Sequence, residues 1–163
     1  MIRLLALVAT ATVAHAEIVT LPNSRVTFDL PAGWKTVSAE GVVLGAKGPT
    51  GEVLAVTRAQ VPNPDAWRTK KREAYVDQIE KGALGKLKGK RVSRKLADVA
   101  TIPTLDLEFR KDDGATVVLR VLLYRTYALS LAIEVPKNGT AKAARAIVQT
   151  FSPPQPAQGS GSS

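Results

Sequence analysis

An α+β fold is what this sequence predicts: an antiparallel β-sheet with a helix after the third strand and a C-terminal helix packed on it. Three observations carry that prediction. Apolar and polar residues alternate through two segments on either side of Asp112-Asp113-Gly114, the period of half-buried strands joined by a tight turn. Asn63-Pro64-Asp65 is a helix start, with Trp67, Ala74, Tyr75 and Ile79 following at helical spacing. Ala144, Ile147, Val148 and Phe151 form a second helical stripe near the end of the chain.

The first sixteen residues read as an export signal rather than as part of the fold. Arg3 supplies a positive start, Leu4 to Val13 form a short apolar run, and Ala14-His15-Ala16 has the small-x-small pattern of a cleavage site. An apolar run of about ten residues is half of what a bilayer span needs. Cleavage before Glu17 would remove His15 and Met1, the only residues of their types, from a chain with no cysteine. Of the 163 residues, 17–151 then form a single domain, 152–163 a disordered tail rich in Pro, Gly and Ser, and the expected location is periplasmic or secreted.

Three strands open the domain. Val26, Phe28 and Leu30 share a face of Arg25–Leu30, and Pro31-Ala32-Gly33-Trp34 turns the chain. Gly41–Ala46 and Glu52–Gln60 follow as a meander joined at Gly48-Pro49-Thr50-Gly51. The first helix then runs to a stop at Gly82.

Between Thr104 and Val135 the alternation sets a register. A two-residue turn at Asp113-Gly114 would put Leu107 opposite Arg120 and mix the faces. A three-residue loop at 112–114 sets Leu107 opposite Leu119 and Phe109 opposite Val117, with Gly114 left-handed and Asp106 across from Arg120. Carrying the parity through a second loop at Arg125-Thr126-Tyr127 pairs Leu123 with Leu129 and brings Glu134 diagonally within reach of Arg120, a structural ion-pair set of Asp106, Arg120 and Glu134. Thr140 is the expected cap of the last helix.

Once the leader is gone, histidine- and cysteine-based triads, heme ligation by histidine or methionine and the usual zinc sites have no residues to build them. Gly82-Ala83-Leu84-Gly85-Lys86-Leu87 fails as a phosphate loop, because its first glycine is misplaced and Leu87 stands where Ser or Thr must reach magnesium. Asp112-Asp113-Gly114 lacks the further oxygen ligands of a calcium loop. Asp106 and Glu108 stand about 6–7 Å apart on one strand face, a spacing open to an acid/base pair, but ion pairing explains them without catalysis. No catalytic residue, metal site or cofactor is assigned, and the protein is expected not to be an enzyme.

Charge supplies the remaining candidate. The formal net charge is +9, and +8 without Arg3. Lys81, Lys86, Lys88, Lys90, Arg91, Arg94 and Lys95 occupy one stretch without an acid, broken by Gly82, Gly85 and Gly89, and read as a flexible basic loop at 81–95. Such a segment recruits anions: an acidic partner protein, lipid headgroups or another anionic surface. No aromatic residue lies between Lys81 and Lys95, which argues against nucleic acid, where bases stack on aromatic rings.

Val26-Thr27-Phe28-Asp29-Leu30-Pro31-Ala32-Gly33-Trp34, a strand followed by Pro-x-Gly-Trp, together with the closing strand and helix over 128–151, resembles the PsbP-like fold family. That family includes PsbP of photosystem II and small exported bacterial proteins of the DUF1795 and DcrB type. The resemblance implies an α/β/α sandwich and an accessory or binding role without catalysis. Metal-binding features of PsbP have no matching residues here. The expectation is therefore an exported accessory protein that docks to an unknown partner or ligand in the cell envelope. The alternative is a peripheral binder of anionic surfaces through 81–95.

Overall fold

The computed structural model describes residues 15–61 and 72–154. The helix start at Asn63-Pro64-Asp65, Trp67, most of the leader and the end of the tail lie outside them. In chain order the elements are β1 (Glu17–Thr20), β2 (Thr27–Leu30), β3 (Lys35–Val37), β4 (Leu44–Lys47), β5 (Val53–Gln60), α1 (Arg72–Leu87), β6 (Gly89–Val99), β7 (Ile102–Lys111), β8 (Thr116–Leu123), β9 (Tyr127–Val135) and α2 (Ala141–Thr150). Seven strands form one antiparallel sheet in the order β3-β4-β5-β9-β8-β7-β6, and β1 pairs only with β2. The fold class is the expected α+β one, with the first described helix after the fifth strand rather than the third, since β1 and β3 are short and carry little alternation.

Each face of the sheet has its own core. α2 lies on one face with Leu54, Val56, Val118, Leu122, Leu131 and Ile133 beneath it, and its stripe of Ala144, Ile147, Val148 and Phe151 is buried there as the spacing predicts. On the opposite face Leu105, Leu107, Phe109, Val117, Leu119 and Val121 meet Val76 of α1, with Tyr75, Ile79, Leu84 and Leu87 half-buried around it. Ala74, expected in that stripe, is exposed. Thr140 occupies the extended cap position of α2, but its side chain makes no capping hydrogen bond.

The Val26-Phe28-Leu30 face does not join the main sheet. It closes over α2: the Phe28 ring meets Phe151 edge-on at 6.2 Å, Asp29 N–H donates to Thr150 Oγ1 at 2.8 Å, and Thr27 bridges to Ser152. Alternation shows that one face is buried, not what buries it. Ser152 in that bridge and buried Pro153 carry the packed chain past residue 151.

The β7–β8 hairpin has the derived register: Leu107 opposite Leu119, Phe109 opposite Val117, Asp106 opposite Arg120, with Gly114 at φ +89°. The β8–β9 register departs from the sequence reading by one residue. Leu123 pairs with Ala128 and Arg120 with Leu131, because the turn holds two residues, Arg125 and Thr126. Tyr124 N–H donates to the Tyr127 carbonyl at 2.9 Å, and the two rings stack at 4.8 Å. All eight β8 residues are buried, so both parities look equally good from one strand's hydrophobicity, and the turn decides. Glu134 is thereby moved away from Arg120 and opposite Val117. It bonds Lys111 at 2.9 Å instead.

The expected basic loop is not a loop. α1 runs through Gly82 and Gly85 to Leu87, and β6 follows at once as an eleven-residue edge strand. Two interior glycines weaken a helix by about 1 kcal/mol each, a penalty that packing on the sheet overrides. The stop falls at Lys88, which takes the left-handed conformation at φ +49° and donates its N–H to Leu84 O at 3.0 Å. Glycine is needed one residue later, where a Cβ on Gly89 would collide with the Arg110 carbonyl oxygen.

Candidate functional site: the basic edge strand

α1 and β6 are joined by a zipper of charges. Glu73, Asp77 and Glu80 recur at i, i+4 and i+7, so they line one side of α1. Arg94 donates to Asp77 at 2.6 Å, to Glu73 at 2.6 Å and to Glu80 at 3.1 Å. Arg91 forks onto Glu80 at 2.8 and 3.1 Å. Glu80 is 7% exposed, an acid placed under two guanidinium groups. Arg72 adds a bond to Asp98 at the far end of β6 at 2.7 Å. The acid stripe was readable in the sequence at helical spacing; it escapes a reading of 81–95 alone because all three acids precede Lys81.

The seven basic candidates thus divide. Arg91 and Arg94 serve the fold. Lys81, Lys86, Lys88, Lys90 and Lys95 are exposed, and among the described residues none has an acidic group within salt-bridge distance. Lys90 and Lys95 lie on the face of β6 away from α1, since their partners across the ladder are Arg110 and Asp106. Lys90 therefore faces a like charge. Lys95 faces a carboxylate whose two oxygens are already held by Arg120, at 2.6 Å from Nε and 2.8 Å from Nη2.

Arg120 is 4% exposed and also donates to the Gln149 and Phe151 carbonyls at 2.9 and 3.4 Å and to Gln149 Oε1 at 2.8 Å. It ties β7 and β8 to the C-terminal end of α2, where carbonyls lack helical partners. Glu108 is gripped in the same way by Arg145 at 2.7 and 2.8 Å. That hydrogen-bonded guanidinium holds the Glu108 carboxyl below its usual range despite burial. A cavity of about 110 Å³ lies among Asp106, Glu108, Arg145 and Gln149.

Two open clefts flank β6. One of about 280 Å³ lies between Lys81, Leu84, Glu80 and Arg91. The other, about 610 Å³, is lined by Glu73, Arg91, Val92, Ser93, Arg94 and Leu96. Val92 sits at a β-bulge between Arg91 and Ser93 and is 57% exposed. Among the described residues, no group of three or more acidic, histidine or cysteine side chains is placed to hold a metal, and no helix is long and apolar enough to cross a membrane.

No protein-family model matches the chain, and no curated protein does. Solved structures do. The cyanobacterial PsbP (CyanoP) of Synechocystis aligns over 90% of this chain and 95% of its own at 14% identity, with a TM-score of 0.61. A protein of unknown function from Pseudomonas aeruginosa aligns over 87% and 99% at 12% identity, with a TM-score of 0.51. At these identities the likeness is one of fold, and the fold is PsbP-like.

Proposed function

We propose that this chain is an exported, non-enzymatic accessory protein of the cell envelope, akin to the small DUF1795 and DcrB-type proteins, that docks to an acidic partner through its α1–β6 end. One observation carries the reading: five exposed lysines on and between α1 and β6 stand, among the described residues, without a counter-charge, while the acids of those two elements are taken by Arg72, Arg91 and Arg94. Unneutralised charge held on rigid elements steers and orients an oppositely charged partner. The leader-like first sixteen residues support export, and β1 begins at Glu17, directly after Ala14-His15-Ala16. Asp106 and Glu108 each sit in a bidentate arginine grip, which fits ion-pair roles better than acid/base catalysis.

The test is chemical cross-linking of the native protein in its envelope, with identification of the product and of its N-terminus by mass spectrometry. The expected result is an N-terminus at Glu17 and an adduct to an acidic protein that Lys86→Ala/Lys88→Ala/Lys90→Ala/Lys95→Ala removes. A product starting at Met1 in the cytosol, or an adduct indifferent to those lysines, would overturn the reading. The second reading, a peripheral binder of anionic surfaces, is favoured by Lys81, Lys86 and Lys88, which lie off the strand. It requires salt-sensitive flotation with phosphatidylglycerol vesicles.

A further inference from the structure

β6 is an unusually long edge, blunted by a bulge at one end and by basic side chains rather than by shortness. Natural sheets keep exposed edges short or blunted, because an unpaired row of backbone groups invites another strand. At the opposite end of this sheet the edge strand β3 has three residues. β6 has eleven, and among the described residues no strand pairs with its outer side. Beyond the bulge at Val92, pairing to β7 is regular from Ser93 to Val99, so the outer edge of that stretch is an uninterrupted template, with Lys95 within it and Lys90 just before the bulge. The cleft of about 610 Å³ lies at the bulge end of it, over Arg91, Val92, Ser93, Arg94 and Leu96.

The side chains beside that edge select what can occupy it. On the face away from α1, Lys90 and Lys95 find no counter-charge on β7: Arg110 repels one, and Asp106 is spent on Arg120. A strand added outside β6 would bring its own side chains opposite both lysines, where carboxylates complete the cross-strand pairs that β7 leaves open. A second copy of this chain is a poor occupant, since it carries the same strongly positive net charge, +9 for the whole sequence and +8 without Arg3.

From this placement we propose that the outer edge of β6 binds an extended acidic segment of a partner protein as an added eighth strand, its alternate carboxylates facing Lys90 and Lys95. The inference rests on the accessory-protein reading above and specifies its partner. Backbone pairing supplies affinity and the alternate side chains supply specificity, as in other strand-addition complexes.

The probe is a synthetic peptide in which Glu alternates with Thr and Val, titrated by calorimetry and followed by amide hydrogen exchange. The peptide should bind, protect β6 amides between Ser93 and Val99, and weaken by about tenfold or more with Lys90→Glu/Lys95→Glu. N-methylation of alternate backbone amides along one edge of the peptide should abolish binding, and along its other edge should leave it intact. Those methylated peptides test the wild-type protein, so the result does not depend on how the double variant folds. If both methylated peptides bind as well as the parent, strand addition is wrong while anion binding at the lysines survives. If neither the peptide nor phosphatidylglycerol vesicles bind, the docking reading falls with it. A dimer that protects β6 without peptide would assign the edge to a second copy and overturn the acidic partner.

Discussion

Arg120 on β8 closes both carboxylate oxygens of Asp106 on β7 at 2.6 and 2.8 Å while its remaining donors reach the last carbonyls of α2. One buried side chain therefore links the strand register to the end of α2, at Gln149, 29 residues further on.

Arg120→Ala should be among the most damaging substitutions in the protein, destabilising it by roughly 3–5 kcal/mol, because it strands a half-buried carboxylate and uncaps α2. Urea unfolding measures it. Asp106→Leu combined with Arg120→Met should recover much of the loss, since removing both partners leaves no buried charge unpaired. A single Arg120→Ala protein as stable as the parent would contradict the grip.

Glu80→Ala should loosen α1 from the sheet edge. It removes a buried acceptor from Arg91 and Arg94, a loss of roughly 1–3 kcal/mol. Hydrogen exchange in α1 should rise while the β7–β9 amides keep their protection. Uniform loss across the sheet would mean that α1 and the strands unfold as one unit.

Glu108 makes stability depend on acid. Arg145 lowers its folded pKa from 4.5, so the contribution is fully present above the unfolded carboxylate value and fades as pH falls through the lower folded value. Unfolding midpoints measured below about pH 4.5 should fall less steeply in Glu108→Gln than in the parent. Parallel curves would remove Glu108 from the acid response.

The β6–β7 turn is strained by its own residues. Ala100 and Thr101 have φ of +46° and +69°, the positive values that a two-residue hairpin turn requires and that Asn-Gly adopts readily. Ala100→Asn/Thr101→Gly should raise stability by about 1–2 kcal/mol, read as a higher melting temperature. A lower one would show that the two native side chains contribute packing that outweighs the strain.

Local chemistry alone was enough for several features. Asp112-Asp113-Gly114 set the β7–β8 register, because only a three-residue loop keeps Leu107, Phe109, Leu119 and Val117 on one face. The stripe of α2 was legible from helical spacing alone, since Ala144, Ile147, Val148 and Phe151 share one side whatever covers it. β6 was hidden because two of its inward positions are Arg91 and Arg94, polar residues that break the apolar alternation and find their partners only when the α1 acids fold against them. A linear count of charge over 81–95 therefore overstated the free cations by those two arginines.

The sequence by itself determined the fold class, the hairpin register and the opposition of Asp106 and Arg120, since each follows from alternation plus the geometry of a short turn. Tertiary structure decided what covers the Phe28 face, which parity β9 adopts against a strand buried on both sides, and which basic side chains remain without partners. Those outcomes depend on residues far apart in the chain meeting across a core, and the free energy of a charge or an apolar face is set by what it meets.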